Sequence, residues 1–174
     1  MRYIFPLISI FFFTSITFSQ DNNPLQTKDV MAQQKWVDSV YNSMSLNQKV
    51  GQLFMVRAFS NDNKSNKKSI SELINKYEIG GLIFSTGGPV RQAKLNNLYQ
   101  AISKTPLLIG MDAEWGLSMR LDSTYAFPYN MTLGAISDNK LIERTGYQIG
   151  EHSKRIGVHF NFAPVVDINT NPKN

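Results

Sequence analysis

Ile79–Pro89 reads IGGLIFSTGGP, and this stretch decides the fold. The pair Gly80-Gly81 stops a helix, because glycine takes the backbone angles that a helix C-terminus needs. GLIFS is then a short apolar run between turn residues, the pattern of a buried strand. Gly87 and Gly88 make a loop, and Pro89 fits the first turn of a helix, where its missing N–H leaves nothing unpaired. One strand thus lies between two helices, with no hairpin signal on either side.

The same alternation continues in both directions. Upstream, Ile70, Leu73, Ile74 and Tyr77 share one helical face, and Ser69 with Glu72 predicts the start of that helix as a capping box. Before it, Leu53–Phe59 (LFMVRAF) reads as a strand. Ser45 with Gln48 opens a short helix, and Val37, Val40, Tyr41 and Met44 predict an earlier one. Downstream, Leu95, Leu98 and Ile102 line a helix, and PLLIGMD from Pro106 is a third strand. A long connection leads to Ser137 or Asp138 as cap of a helix with Ile142, Ile149 and Ile156 one heptad apart. VHFNFAPVVDI, from Val158 to Ile168, reads as a fourth strand.

Strand centres near Met55, Ile83, Ile109 and Asn161 are 28, 26 and 52 residues apart. Strands alternating with helices make βαβ units and a parallel sheet, hence an α/β fold. A doubly wound sheet and a (β/α)₈ barrel both satisfy that pattern. The first strand lacks a G-x-G-x-x-G turn, which removes the main dinucleotide argument. Four strands make either a small open sheet or the first half, about four βα units, of a (β/α)₈ TIM barrel. A half-barrel leaves two unpaired edges and one uncovered face, so the second reading expects a longer product.

The 174 residues are 42% hydrophobic and 18% charged, with 11 glycines, 7 prolines and no cysteine. This composition excludes collagen-like, low-complexity and disulfide-stapled chains. Five of the 11 phenylalanines fall in residues 1–20, MRYIFPLISIFFFTSITFSQ. Arg2 is a positive n-region, Ile4–Phe13 an apolar h-region, and Ser15–Gln20 a small, polar exit, as in a secretory signal peptide cleaved near Ser19 or Gln20. Pro6, Ser9, Thr14, Ser15 and Thr17 interrupt the run, so it falls short of a stable membrane span. Export to the periplasm or out of the cell is the expectation. Residues 21–44 are then a polar leader and an N-terminal helix.

Losing residues 1–20 removes one arginine and no acid, so the net charge of +5 becomes +4. Much of the excess lies in Asn61–Lys68, NDNKSNKK, read as a solvated loop or a contact for anionic envelope polymers. No basic patch alternates with aromatics, which argues against nucleic acid. Ser65-x-x-Lys68 and Ser137-Asp138-Asn139 imitate motifs of penicillin-binding serine enzymes, but the first run is polar on all sides and no K-T-G follows. His152 and His159 lack metal-ligand spacing; the first reads as a packed surface histidine and the second as a hydrogen-bond partner of a neighbouring loop.

The remaining chemistry lies at strand ends, where parallel α/β folds gather their ligands. Asp112 and Glu114 follow the third strand and Asp167 the fourth. Carboxylates there either cap the next loop or accept bonds from vicinal hydroxyls, as a sugar presents, with Trp115 as an apolar face. Placed two apart on a strand, Asp112 and Glu114 would point the same way.

Together, MSLNQKVGQLFMV, IGGLIFSTGGPVRQ, LLIGMDAEWGLSMRL, FPYNMTLGA and IGVHFNFAPVVDINTNP resemble the N-terminal domain of glycoside hydrolase family 3, over residues 45–174. GGLIFSTGGP with FNFAPVVDINTNP is more similar to the β-N-acetylglucosaminidase branch than to the β-glucosidases. The resemblance implies a (β/α)₈ barrel and retaining hydrolysis of a terminal β-linked sugar through a glycosyl-enzyme, without a cofactor. The implied sugar is N-acetylglucosamine, of which peptidoglycan- and chitin-derived chains are sources; glucose is the alternative.

By the same resemblance, Asp112 matches the aspartate that binds hydroxyls of the −1 sugar, and Asp167 lines or orients that pocket. Glu114 and Arg120 fall in the loop the family writes D-x-E-G-G-R-V, where this chain has Trp115 in place of glycine. The family's nucleophilic aspartate and acid/base histidine are expected beyond Asn174, so residues 1–174 alone are expected to be inactive. The rival from another class is an exported half-barrel that binds sugar through Asp112 and Asp167 without catalysis.

Overall fold

The computed structural model describes residues 27–61, 64–168 and 170–173. The signal segment read at 1–20 lies outside them. The described residues divide into two units, with the boundary between Asp38 and Ser39. In the first, the Asp29 carboxylate accepts from the Ala32 N–H at 2.9 Å at the start of helix α1 (Val30–Ser43), and Gln34 donates to Asp38 at 2.9 Å one turn further along it. The helix expected from the Val37–Met44 spacing is therefore present.

The second unit continues through α2 (Leu46–Gly51), β1 (Met55–Ser60), α3 (Lys64–Tyr77), β2 (Gly81–Gly87), α4 (Pro89–Ile102) and β3 (Leu108–Met111). After a 3₁₀ turn at Leu117–Met119 come α5 (Asn130–Gly134), α6 (Asn139–Arg155) and β4 (Phe160–Asn161). The Ser45 capping box forms as read: Ser45 N–H donates to Gln48 Oε1 at 2.7 Å, and the Gln48 N–H to Ser45 Oγ at 3.4 Å. Pro89 takes the first turn of α4, and the Asp138 carboxylate caps α6 by accepting from the Lys140 N–H at 2.9 Å.

The four strands are all parallel and lie in the order β1-β2-β3-β4. That order separates the two architectures the sequence left open. A doubly wound sheet reverses direction at a switch point and places strands on both sides of its first. Here each strand adds to the same edge, and α3 and α4 pack on each other as well as on β1. This is the winding of the first four units of a (β/α)₈ barrel.

Register aligns Val56 with Leu82 and Ile109, and Ala58 with Phe84 and Met111. Apart from Val56, which is partly buried against it, these two rows belong with Ile70, Ile74 and Tyr99 to the buried core. The opposite face carries Arg57, Ile83 and Leu108 and is more open, with Leu108 exposed.

Three expectations are corrected. Helix α3 begins at Lys64, so Ser69 and Glu72 lie inside it and form no cap. The run Lys64–Lys68 is the helix's solvated first turns and not a loop; its apolar stripe starts only at Ile70, which hid the true start. The conclusion about Ser65-x-x-Lys68 stands, because the Lys68 side chain is open to solvent and 3.9 Å from Glu72. The fourth strand is two residues long where Val158–Ile168 was expected, for β4 has β3 on one side and no described strand on the other. Pairing ends at Phe162, whose N–H donates to Met111 O at 2.9 Å, and Pro164 has no N–H to continue a ladder. Finally, Asp112 and Glu114 lie beyond the end of β3, so strand alternation does not orient them.

At the opposite end of the sheet, Glu78 ties three segments together. Its carboxylate accepts from Lys104 Nζ at 2.7 Å and Gln48 Nε2 at 2.8 Å, and its carbonyl from Gln52 at 2.6 Å. The bonds from Lys104 and Gln48 hold the carboxyl below its ordinary range, against a smaller upward push from burial. A carboxyl lowered by folding stabilises fully above its unfolded value, near 4.5, and that stabilisation fades as pH falls through the folded value. Glu78→Gln is therefore expected to lower the midpoint of urea unfolding at pH 7 and to narrow the gap from wild type below pH 4. A gap independent of pH would remove the ionic account.

Candidate functional site

Asp112 follows directly on β3, so the last strand residue carries its carboxylate to the carboxyl end of the sheet. The chain then turns at Gly116, whose positive φ of 102° suits glycine, and coils through the 3₁₀ turn to Arg120. Arg120 folds back. Its Nε donates to the Asp112 carbonyl at 2.8 Å and its Nη2 forms an ion pair with Asp112 Oδ2. Both side chains are about one-third exposed, 35% for Asp112 and 26% for Arg120. No described residue bonds Asp112 Oδ1. The pair therefore offers an open carboxylate oxygen beside a fixed guanidinium, an acceptor next to donors, which matches the vicinal hydroxyls of a sugar.

The segment that carries Arg120 is stitched to the neighbouring strand end. Gly87 donates to Arg120 O at 3.3 Å and accepts from the Asp122 N–H at 2.8 Å, so Leu121 pairs with Gly87 as an isolated bridge. Arg91, in the first turn of α4, donates Nε to Ser60 O at 2.8 Å and Nη2 to Asp122 Oδ2 at 2.7 Å. Three strand ends, those of β1, β2 and β3, are thus joined through one loop.

Glu114 goes elsewhere. It lines a groove of ≈ 770 Å³ with Asn130, Lys154, His159 and Asn161, between α6 and the segment around Pro164. Asn161 closes the β3 side: its Oδ1 accepts from the Ala113 N–H at 3.0 Å and its Nδ2 donates to Ala113 O at 3.1 Å. Trp115 makes a T-shaped contact with Tyr129, ring centroids 5.0 Å apart. Asp167 lies past the end of β4, exposed, and pairs with no described residue.

The structure therefore brings Asp112 and Arg120 together and sets Glu114 in the adjoining groove. Asp167 is left apart from both in its bonding. His152 packs against Phe127 at 5.8 Å, the surface role read from the sequence. His159 Nδ1 accepts from the Ile109 N–H at 3.1 Å, a bond to strand β3 where a loop was expected. Among the described residues no three His, Asp, Glu or Cys side chains cluster as metal ligands, and no helix is long and apolar enough to cross a membrane. Arg91 and Asp122 were missed by sequence reasoning. They are 31 residues apart, and although Arg91 lies in the IGGLIFSTGGPVRQ stretch, no spacing signal links it to Asp122.

Comparison with known proteins matches residues 45–174 to the Glycosyl hydrolase family 3 N terminal domain. A beta-N-acetylglucosaminidase/beta-glucosidase of Cellulomonas fimi is 27% identical over 139 residues, 80% of this chain and 24% of that protein. Beta-hexosaminidase A of Pseudoalteromonas piscicida is 33% identical over 118 residues, covering 60% of this chain and 20% of its own. A beta-hexosaminidase of Thiobacillus denitrificans is 34% identical over 100 residues, 52% of this chain and 28% of that protein. The chain thus spans less than a third of the length of each. Among solved structures, the beta-glucoside phosphorylase BglX bound to 2FGlc superimposes with a TM-score of 0.72 at 23% identity, over 86% of this chain and 26% of that one. That likeness establishes a shared fold.

Proposed function

The chain belongs to glycosyl hydrolase family 3, and on that premise we propose that it forms the front of the barrel of an exported retaining β-N-acetylhexosaminidase. In this reading the protein removes terminal β-linked N-acetylglucosamine. Asp112 and Arg120 hold hydroxyls of the sugar in the −1 position, and the nucleophile and acid/base come from outside residues 45–174. The observation that carries the proposal is the Asp112–Arg120 pair, with one carboxylate oxygen left open at the carboxyl end of β3.

The relatives named as hexosaminidases support the N-acetyl sugar. The double name of the Cellulomonas relative and the phosphorylase neighbours make a β-glucoside the second reading. Glu114, in the adjoining groove, and Asp167 are assigned here to the walls of the substrate channel and not to the chemistry.

The test compares release of p-nitrophenol from the N-acetyl-β-glucosaminide and from the β-glucoside by the full polypeptide carrying this sequence. Faster turnover of the N-acetyl sugar, with the β-anomer as first product, is expected. Turnover confined to the glucoside, or dependent on inorganic phosphate, would overturn the proposal.

A further inference from the structure

The geometry points to Arg91 as a positioning residue for Arg120, acting through Asp122. The inference rests on the reading of Asp112 and Arg120 as the sugar-holding pair.

Arg120 is held at two places. Its side chain is fixed by Asp112, as described; its backbone N–H donates within the turn to Leu117 O at 3.0 Å, and only its carbonyl, through the 3.3 Å bond from Gly87, ties it to a neighbouring strand. A single long bond is a weak hold on a loop. The next turn supplies the rest: Asp122 N–H donates to Gly87 O at 2.8 Å, and the Asp122 carboxylate is gripped by Arg91 Nη2 at 2.7 Å. Arg91 is itself anchored, since its Nε donates to Ser60 O at 2.8 Å. Ser60 is fully buried at the end of β1, and its hydroxyl donates to Gly88 O at 3.3 Å. One guanidinium therefore relates the end of β1 and the start of α4 to the residue two places after Arg120.

The stability of the fold does not explain this arrangement. Arg91 and Asp122 are about half exposed, at 47% and 56%, and exposed ion pairs add little to folding. What the planar fork supplies is direction. Two nitrogens bonded to two separate elements fix an angle that a point charge on a flexible stem does not. If the loop shifted, the Arg120 guanidinium would leave the plane in which it meets both the carbonyl and the carboxylate of Asp112.

The experiment uses the full polypeptide with Arg91→Ala, Arg91→Lys, Asp122→Ala and the Ala/Ala pair, with Asp112→Ala alongside. It measures the Kd for N-acetylglucosamine, the thermal midpoint, and solvent exchange of the Arg120 Nε–H. Arg91→Ala and Asp122→Ala are each expected to weaken binding about tenfold, and the pair to be no worse than either alone, because linked residues do not add. Arg91→Lys restores less than half of the loss on a logarithmic scale, since lysine cannot bond both partners.

Thermal midpoints stay near wild type, while Arg120 Nε–H exchange quickens. Wild-type affinity in Arg91→Ala when Asp112→Ala has lost binding overturns the role of Arg91 alone. Retained binding in Asp112→Ala overturns the reading of the site instead. Whether or not sugar binds, unchanged Arg120 exchange in Arg91→Ala overturns the inference, and so does a collapse of the thermal midpoint in both Arg91 variants.

Discussion

Asp112→Ala is expected to weaken binding of N-acetylglucosamine at least 100-fold while leaving the fold intact. The carboxylate serves two ends at once, for Oδ2 holds the Arg120 guanidinium and Oδ1 is bonded by no described residue. Alanine removes the acceptor and frees the arginine. A hydrogen bond to a charged group is worth about 1.5–3 kcal/mol, so losing two costs roughly 3–6 kcal/mol. That corresponds to a factor of about 10²–10⁴ in Kd. The one-third exposure of the carboxylate places the result towards the lower end.

Folding should hardly notice, because a partly exposed pair contributes only about 0–1 kcal/mol. Titration with N-acetylglucosamine and thermal unfolding read the two effects separately. A Kd within about threefold of wild type, a difference under 1 kcal/mol, would take Asp112 out of the site. Asp112→Asn divides the effect: it keeps an acceptor but drops the charge that fixes Arg120, so an intermediate loss is expected.

Periodic elements were the legible part of this chain. Glycine pairs, capping residues and apolar spacing placed β1, β2, β3, α4 and α6 close to where they fold, because each is stabilised by contacts that repeat along the sequence. The errors lie where stabilisation is not periodic. The start of α3 was hidden because its first turns carry only polar side chains and leave no apolar mark before Ile70. The fourth strand was read too long because hydrophobicity in FAPVVDI says nothing about whether a neighbouring strand is there to pair with.

The candidate site was half legible for the same reason. The place of Asp112 at a strand end could be read from PLLIGMD, and the resemblance supplied Arg120. The ion pair between them could not be read, since it depends on the turn at Gly116. Still less visible was the stitch from Ser60 through Arg91 and Asp122 to Gly87, which joins residues far apart in the chain through two side chains and through backbone atoms that every residue has.

Gly87 is where fold and site meet, and Gly87→Ala is expected to damage both. Its φ of 140° lies in the region L side chains rarely adopt. An added Cβ would fall on the carbonyl carbon and hydroxyl of Ser60 and on the Asn61 amide, well inside van der Waals contact. Two of those atoms are backbone at the end of β1, so no flexible tip can turn aside. Backbone strain of about 1–3 kcal/mol and steric displacement of about 1–3 kcal/mol sum to roughly 2–6 kcal/mol. Against a typical total of about 5–15 kcal/mol, the upper half of that range leaves a domain close to unfolding.

The site suffers even in the folded fraction, because Gly87 donates to Arg120 O and accepts from Asp122 N. Gly134→Ala is the control: nothing lies within 4 Å of the Cβ it would add, and it sits in α5, where alanine favours the helix. Urea unfolding should therefore show a lower midpoint for Gly87→Ala and an unchanged or higher one for Gly134→Ala. Equal midpoints for the two variants would mean that the loop yields at no cost. The Gly87–Leu121 bridge would then have no hold on Arg120, and the site would have to be positioned by Asp112 alone.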